Sequence, residues 1–314
     1  MTTETVPSVA PAPAPVHSRG NRKQARRNTL IGWTFILPNF LGFLAFTLIP
    51  VTAAFALSFM EWTSFTAPRW VGLENFQRMF QSDTFWVALR NTVVYALGHV
   101  PLTMALALLL AMLLNRKLKG IGFFRVAIFF PYITSLVAVA VVWNTLFSPD
   151  TGPINQFLNS IGIAEPPGWT SSSDWAMPAV IITSVWRDMG YYMVLYLAGL
   201  QAIPSELYEA ASLDGAGVWK SFTTVTMPFL RPFLYATTFL EVIWVFKAFV
   251  QVFTINGGGP DRLTEILPVY AYIEGVGNQH YGMGAAIAVL TILIMLGLTA
   301  YYLRIVLKQE EDEL

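Results

Sequence analysis

The sequence of 314 residues contains no cysteine and only three histidines. The absence of cysteine excludes disulfide bonds, thiolate metal sites and cysteine nucleophiles, and it leaves the redox compartment undetermined. His17, His99 and His280 lie far apart along the chain and form no metal-ligand spacing, so the sequence predicts no metal site. The formal net charge is zero, which indicates no nucleic-acid partner.

Charged side chains are also scarce. They make up 12% of the residues, against about 25% in an ordinary soluble domain, whereas 55% of the residues are hydrophobic. In water, a folded chain of this composition would expose one large apolar patch. The composition therefore predicts an integral membrane protein that is surrounded by lipid.

Six apolar stretches are long enough to cross a bilayer, which takes about 20 residues. They are roughly residues 30–59, 93–114, 126–147, 176–200, 229–253 and 285–307. Backbone groups in hydrocarbon must be hydrogen-bonded within the protein, and these stretches lack the alternation of barrel strands. The predicted fold class is therefore all-α integral membrane, with six transmembrane helices.

The beginning of the chain has a different composition. Residues 1–28 include an alanine–proline run that cannot bury a core, so we expect a disordered tail ahead of a membrane domain at residues 29–314. Basic residues of the tail and of two later connections, such as Arg116 and Lys220, fall on the same side of the predicted bundle. The distribution of positive charge therefore places both termini in the cytoplasm.

The connection between the fourth and fifth stretches, about residues 200–228, has the pattern of a cytoplasmic helix–turn–helix. Ser205 is a good N-cap for a first helix. Asp214 and Gly215 then break that helix, and Gly215 suits a left-handed cap. A second short helix is expected to follow and to end at Pro228.

The same connection has features of a docking element. Small side chains at Ala210, Ala211 and Gly215 let another surface approach the backbone closely, and Glu209 offers a carboxylate to a basic residue elsewhere. These features suit a helix that inserts into a groove on a soluble partner. A re-entrant turn packed under its own bundle explains them equally well, so both alternatives stay open.

A sequence signature in this loop resembles the "EAA" motif of ABC importer permeases. Its residues are Glu209, Ala210, Ala211, Gly215, Val225, Met227 and Pro228. The family has isoleucine and leucine where this chain has Val225 and Met227, which are conservative departures. The motif also lies where that family has it, ahead of the penultimate span.

Three other segments indicate which group of ABC importer permeases the chain resembles. The strings WVGLENF at 70–76, LAGLQAIP at 197–204 and NGGGPDRLT at 256–264 look like carbohydrate-uptake permeases of the maltose and glycerol-phosphate type. The first span, with Pro38 and Pro50, resembles the MalF-like partner of such systems. The resemblance covers roughly residues 28–306.

The resemblance implies a transport subunit, not an enzyme, in a bacterial plasma membrane. Such a permease pairs with a second, similar permease, and an extracytoplasmic binding protein delivers a sugar or related solute. Two cytoplasmic ATPase subunits bind ATP and Mg²⁺, so this chain would hold no cofactor. The coupling residues implied for the 205–228 loop are Glu209, Ala210, Ala211, Asp214, Gly215 and Pro228.

Four charged residues lie inside predicted spans, where charge is costly: Arg187, Asp188, Glu241 and Lys247. Arg187 and Asp188 are adjacent, so we expect their side chains to point apart and to need other partners. Sugars bind to mixtures of aromatic and polar side chains. The candidate substrate pathway is Trp186, Tyr191, Glu241, Trp244, Lys247, Gln251 and Asn256. Alternatively, these charges lie near the interfaces or against the second permease.

Two other classes of function compete with this interpretation. A secondary transporter driven by an ion gradient would use intramembrane acids, for which Asp188 and Glu241 are candidates, but it leaves the 205–228 loop without a role. An intramembrane enzyme would need a nucleophile–base pair or a metal cluster on facing helices. No motif in the sequence indicates such a cluster.

Overall fold

The computed structural model describes residues 22–116 and 118–313, and nearly all of its regular structure is helical. The α-helices in chain order are α1 (Arg22–Phe43), α2 (Ile49–Leu57), α3 (Glu74–Gln81), α4 (Asp83–Leu114), α5 (Ile121–Ile133), α6 (Leu136–Leu146), α7 (Pro153–Ser160), α8 (Ala176–Gln201), α9 (Ser205–Leu213), α10 (Val218–Ser221), α11 (Met227–Val245), α12 (Phe249–Asn256), α13 (Leu267–Tyr272) and α14 (Tyr281–Glu313). Two short strands, β1 (Met60–Glu61) and β2 (Arg69–Trp70), pair antiparallel.

The chain divides into two compact units between Ala53 and Ala54. In the first unit, helix α1 already begins at Arg22, within the segment that the sequence assigns to a disordered tail. The alanine–proline run of that predicted tail lies outside the described residues. A π-turn at Leu44–Leu48 continues α1 into α2 without a break, so the first apolar stretch forms one long helical run.

The second unit is a helical bundle whose main core joins α4 to α8. Tyr95, Met104 and Ala107 of α4 pack with Met193 and Tyr196 of α8, and all five are nearly or fully buried. In a bilayer, burial of such side chains stabilises the bundle through close packing. The hydrophobic effect adds little there, because lipid tails are as apolar as the side chains. Helices α5 and α11 also pack against this helix pair.

Helix α5 approaches α8 very closely at Gly190. A Cβ atom at this position would lie 2.1 Å from the carbonyl oxygen of Ile128, so any larger residue would push the two backbones apart. Small residues permit such close helix contacts in membrane proteins. The contact brings the break after α5 against the middle of α8.

Two of the predicted spans are broken rather than continuous. Helices α5 and α6 meet at an angle of 99° across residues 134–135, and the run from Val218 to Val245 meets α12 at 51°. Thr134 has an extended backbone (ψ 152°), and Lys247 lies in the second break. The sequence predicts helices over residues 126–147 and 229–253, but it does not show these bends, because apolar content does not reveal where a helix bends.

The described helices include three that are long and apolar enough to cross a membrane: Arg27–Leu57, Asp83–Leu114 and Tyr281–Val306. The number rises to five if each bent pair is one span. Helix α8 has 26 residues, and its central Arg187 and Asp188 lower its hydropathy. All six predicted apolar stretches thus form helical segments.

The 205–228 loop consists of α9, a turn and the beginning of a long helical run. Gly215 has φ +74°, which confirms the predicted left-handed turn after α9. Helix α9 begins at Ser205, so the N-cap residue is Pro204 and not Ser205 as the sequence predicts. The helix that begins at Val218 does not end at Pro228 but continues into α11.

A π-turn at Phe222–Thr226 explains that continuation. The N–H of Met227 donates to the carbonyl oxygen of Phe222, an i→i+5 bond directly before Pro228. A proline has no N–H, and in a regular α-helix its ring clashes with the carbonyl four residues earlier. The wider turn accommodates Pro228, so the prediction that the second helix stops there is wrong.

Candidate functional site

A cavity of about 240 Å³ lies inside the second unit, where α4, α8, α11, α12 and the α5–α6 break meet. We call it the polar cavity. Its polar and aromatic lining consists of Tyr95, His99, Tyr132, Arg187, Asp188, Tyr192, Glu241, Trp244, Lys247 and Gln251. Titratable side chains are rare in this apolar chain, so their convergence on one cavity indicates a functional site.

Three of these side chains meet at the wall of the cavity, and each comes from a different helix. His99 of α4 places Nε2 3.5 Å from Oδ2 of Asp188 on α8 and 3.2 Å from Oε1 of Glu241 on α11. All three residues are buried. We refer to His99, Asp188 and Glu241 as the buried cluster.

The second oxygen of each carboxylate in the cluster has its own partner. A guanidinium N–H of Arg187 donates to Oδ1 of Asp188, and the hydroxyl of Tyr192 donates to Oε2 of Glu241. The sequence-based expectation that Arg187 and Asp188 point apart is therefore wrong. The long arginine side chain reaches the neighbouring carboxylate, because two charges away from water are strongly driven to pair.

Arg187 also ties the cluster to the α5–α6 break. Its second terminal nitrogen lies 3.4 Å from the carbonyl oxygen of Tyr132, and its guanidinium carbon lies 5.0 Å from the centre of the Tyr132 ring. A break in a helix leaves carbonyl groups without their usual partners. The arginine satisfies one of them, so the bend and the buried charge stabilise each other.

A hydrogen-bond chain extends the site to α12. The hydroxyl of Tyr95 donates to Oγ of Ser184 over 2.9 Å, and the side-chain amide of Gln251 donates to the same oxygen. Ser184 itself donates to the carbonyl oxygen of Val180. The network fixes Gln251 relative to α4 and α8, so α4, α8 and α12 share one set of polar contacts.

The second break shapes the other wall of the polar cavity. Lys247 lies in that break, and its Nζ lies 4.5 Å from the centre of the Trp244 ring. Trp244 is half exposed, so its ring face is accessible. An aromatic face beside charged and amide groups suits a ligand with both apolar faces and hydroxyl groups.

The structure separates the residues of the predicted substrate pathway into two sets. Glu241, Trp244, Lys247 and Gln251 line the polar cavity. Trp186, Tyr191 and Asn256 do not: the first packs against Trp143, the second stacks on Tyr132, and the third accepts a hydrogen bond from Thr264. The first set therefore remains the candidate site.

His99 is the member of the buried cluster that the sequence analysis does not include. Metal-ligand spacing detects only ligands that lie close together in sequence, and the three histidines lie far apart. A usable signal was present, since histidine within a predicted span is rare and usually faces a bundle interior or a water-filled cavity. Tyr95 and Tyr132 carried no comparable signal, because tyrosine is common in apolar helices.

The 205–228 loop is a second candidate site with a different character. Leu213 and Val218 are each 90% exposed, and Trp219 is 76% exposed. The opposite side of α9 is attached to the bundle, where Tyr208 shares a 3.0 Å hydrogen bond with Thr226. One face of α9 thus packs on the bundle, and the other faces outward. Docking of this outward face on a soluble partner stays a prediction.

The predicted coupling residues follow this division. Glu209, Ala210, Asp214, Gly215 and Pro228 are exposed, whereas Ala211 packs partly against the core. Tyr208, Ser212 and Leu213 border Glu209 on an open face of α9. The exposed face therefore presents a carboxylate and large apolar side chains together.

Comparison with known families gives one match that covers most of the chain. Residues 100–309 match the family described as "Binding-protein-dependent transport system inner membrane component". The chain is 53% identical over 248 residues to the diacetylchitobiose uptake system permease protein DasB of Streptomyces coelicolor, which covers 78% of this chain and 76% of DasB.

Two further comparisons extend over nearly the whole chain. It is 32% identical over 281 residues to the trehalose/maltose transport system permease protein MalF of Thermococcus litoralis, covering 89% of this chain and 94% of that protein. Among solved structures, a bacterial ABC transporter that imports the acidic polysaccharide alginate matches with a TM-score of 0.77. That match has 25% identity and covers 90% of this chain and 98% of the other.

Proposed function

This chain belongs to the family of binding-protein-dependent transport system inner membrane components, and on that premise we propose that it is a permease subunit of an ATP-driven importer for sugars or related solutes. The relatives named above, at 53% and 32% identity, are permeases of sugar uptake systems, and the matches cover most of each protein. This similarity is the observation that carries the proposal. It agrees with the carbohydrate-uptake resemblance of the sequence.

The polar cavity is the proposed point of contact with solute. Glu241 and Gln251 supply hydrogen-bonding groups for sugar hydroxyls, and the accessible ring of Trp244 covers an apolar sugar face. The volume, about 240 Å³, is below the roughly 300–1,000 Å³ typical of drug-sized ligand sites. We therefore assign the cavity to a single sugar ring, with the facing wall of the pathway supplied by the second permease.

The 205–228 loop is the proposed coupling element to a cytoplasmic ATPase. Its exposed carboxylate at Glu209 suits a basic partner residue, and Leu213 and Trp219 suit an apolar cleft. Gly215 permits the reversal of the chain that presents α9 outward. Ala210, Ala211, Asp214 and Pro228 complete this proposed surface, with Ala211 serving the attachment of α9 to the bundle.

The complete importer would contain further chains. A second, similar permease would complete the pathway, and a binding protein would deliver solute on the extracytoplasmic side. ATP and Mg²⁺ would bind only to the ATPase partner, so this subunit performs no catalysis. Within it, the two bent helices would each count as one span and α8 as another, which makes six spans with both termini in the cytoplasm.

The alternative of a gradient-driven secondary transporter receives no support. The comparisons named above are with components of uptake systems and an ABC transporter. A secondary transporter also leaves the exposed apolar side chains of the 205–228 loop without a partner.

The deciding experiment is purification of the tagged chain from its native membranes in mild detergent, followed by mass spectrometry of the proteins that accompany it. We expect an ATPase and a second permease in stable proportion. Reconstitution of that complex into liposomes with its binding protein should give sugar uptake that depends on ATP. Uptake by this chain alone, driven by an ion gradient, would refute the proposal.

A further inference from the structure

The buried cluster has features that a role in sugar contact does not require. His99, Asp188 and Glu241 come from three helices, yet one ligand atom of each lies within 4.8 Å of the others. The distances from His99 Nε2 to Asp188 and Glu241 are 3.5 and 3.2 Å. Around a tetrahedral metal ion with bonds of about 2.0–2.2 Å, neighbouring ligand atoms lie roughly 3.3–3.6 Å apart.

The orientation of these groups distinguishes the cluster from an ordinary hydrogen-bonded set. Nδ1 of His99 has no hydrogen-bond partner among the described residues. Nε2 of His99 lies 3.2 Å from Oε1 of Glu241, but the two atoms lack the geometry of a hydrogen bond. Both side chains are more than nine-tenths buried, at 4% and 3% exposure. Buried polar atoms without partners are costly, so these atoms call for a ligand that all of them can share.

In each carboxylate, the oxygen that does not face His99 Nε2 accepts a hydrogen bond, as is usual for metal-ligating carboxylates. Arg187 occupies one oxygen of Asp188, and Tyr192 occupies one oxygen of Glu241. The remaining oxygens are those that converge with His99 Nε2. Hydrogen-bond partners of ligating side chains orient these side chains and tune their affinity for the metal.

We propose that His99, Asp188 and Glu241 form a binding site for a first-row divalent metal ion, with one coordination position open to the polar cavity. Imidazole and carboxylate together are the donor set of zinc and manganese sites. Three protein ligands and an open position are the arrangement of sites that also bind water or a ligand hydroxyl. The ion would join the middles of α4 and α8 to the C-terminal part of α11.

Direct titration tests the site. The full chain, carrying a tag without histidine, is treated with a chelator in detergent and titrated with Co²⁺, whose visible absorption reports nitrogen and oxygen ligation. We expect one bound Co²⁺ per chain and its displacement by Zn²⁺. Absence of stoichiometric binding would refute the site, and the titration needs no transport, so it is independent of the proposed importer function.

Variants then locate the ion. His99→Gln and Glu241→Gln should weaken Co²⁺ binding at least about 100-fold, whereas His280→Gln, which changes a half-exposed histidine beside Glu274, should leave it unchanged. Unchanged binding in His99→Gln would overturn the assignment.

Tyr192→Phe gives a test that does not remove a ligand. It deletes only the hydroxyl behind Glu241, and loss of such a partner typically weakens metal binding 10- to 100-fold. This variant decides the question if His99→Gln does not fold. A folded Tyr192→Phe chain with wild-type affinity would argue that the carboxylate of Glu241 is not a ligand.

Discussion

The polar cavity and the 205–228 loop invert the usual placement of side chains. In the cavity, charged residues lie buried: Asp188 is 8% exposed and Glu241 is 2% exposed. In the loop, Leu213 and Val218 are each 90% exposed. Both arrangements are costly for an isolated chain, since buried charge needs partners and exposed apolar surface tends to associate.

The two regions meet that cost in different ways. Charges in the cavity find partners within the chain, because Arg187 pairs with Asp188 and Tyr192 donates to Glu241. The exposed apolar side chains of the loop are not covered by other described residues of the chain. The cavity is thus a site completed mainly from inside, whereas the loop has the composition of a surface that another protein covers.

The largest effect is expected from removing the internal partner of a buried charge. Arg187→Leu leaves Asp188 buried without its cation, and breaking a buried ion pair costs about 3–5 kcal/mol. Thermal unfolding of the purified chain in detergent should shift strongly downward. Arg78→Gln, which breaks exposed pairs with Glu74 and Glu61, is the matched control and should have little effect. Equal shifts would mean that the cavity charges are not buried in the membrane-embedded protein.

A change at the turn of the loop should affect coupling rather than folding of the bundle. Gly215 has φ +74°, and a β-branched residue there carries strain of roughly 1–3 kcal/mol. Gly215→Val should therefore abolish stimulation of ATP hydrolysis by solute-loaded binding protein in the reconstituted importer. Gly217→Ala, at a glycine whose φ is −70°, is the control. Normal stimulation in Gly215→Val would contradict the coupling role.

A charge reversal tests the same surface without backbone strain. Glu209→Lys replaces the exposed carboxylate that we assign to a basic residue of the ATPase, and like charges then repel. ATP hydrolysis should lose its dependence on solute while the spans remain folded by circular dichroism. Glu206→Lys, one turn earlier on the same helix, controls for a general effect of charge. Identical behaviour of both variants would remove Glu209 from the contact.

Two tryptophans distinguish the cavity from the wider set of pathway residues suggested by the sequence. Trp244 lines the polar cavity, whereas Trp186 packs against Trp143. Trp244→Ala should raise the KM of sugar uptake about tenfold, equivalent to about 1.4 kcal/mol. Trp186→Ala should change the KM little. The reverse order would show that solute passes on the other side of α8.

The smallest effect concerns an exposed network outside both regions. The guanidinium groups of Arg69 and Arg78 hold the pKa of Glu61 below its ordinary value of 4.5. A lowered pKa in the folded state stabilises the protein above pH 4.5, and that contribution is lost as the pH falls through the lower folded value. Thermal unfolding of Glu61→Gln should therefore show a slightly weaker acid dependence than wild type. A large difference would contradict the exposure of this group.

The sequence predicted the helical segments far better than the bends between them. Long apolar stretches indicated all six helical segments, because hydrocarbon demands internally bonded helices. Gly215 indicated its own turn, since few other residues adopt φ near +74° without strain. The bend at residues 134–135 had a signal in Pro131, which the prediction of that helix did not use. The bend at residues 246–248 had none, because Lys247 is compatible with a helix by itself.

The candidate site was predictable only as a list of unusual residues. Charge inside an apolar stretch marked Asp188 and Glu241, and aromatic residues nearby suggested a sugar pathway. The same rule included Trp186 and Asn256, which lie outside the cavity. It omitted His99, whose meaning depends on two carboxylates that are distant in sequence.

By itself, the sequence determined the membrane environment, the helical segments and the family, since composition, apolar runs and a contiguous motif are all local properties. Tertiary structure alone decided that α4, α8 and α11 bring His99, Asp188 and Glu241 together, and that Arg187 turns toward its neighbour. Those contacts depend on how helices cross and where they bend. Side chains from distant positions become partners only when packing fixes both their distance and their direction.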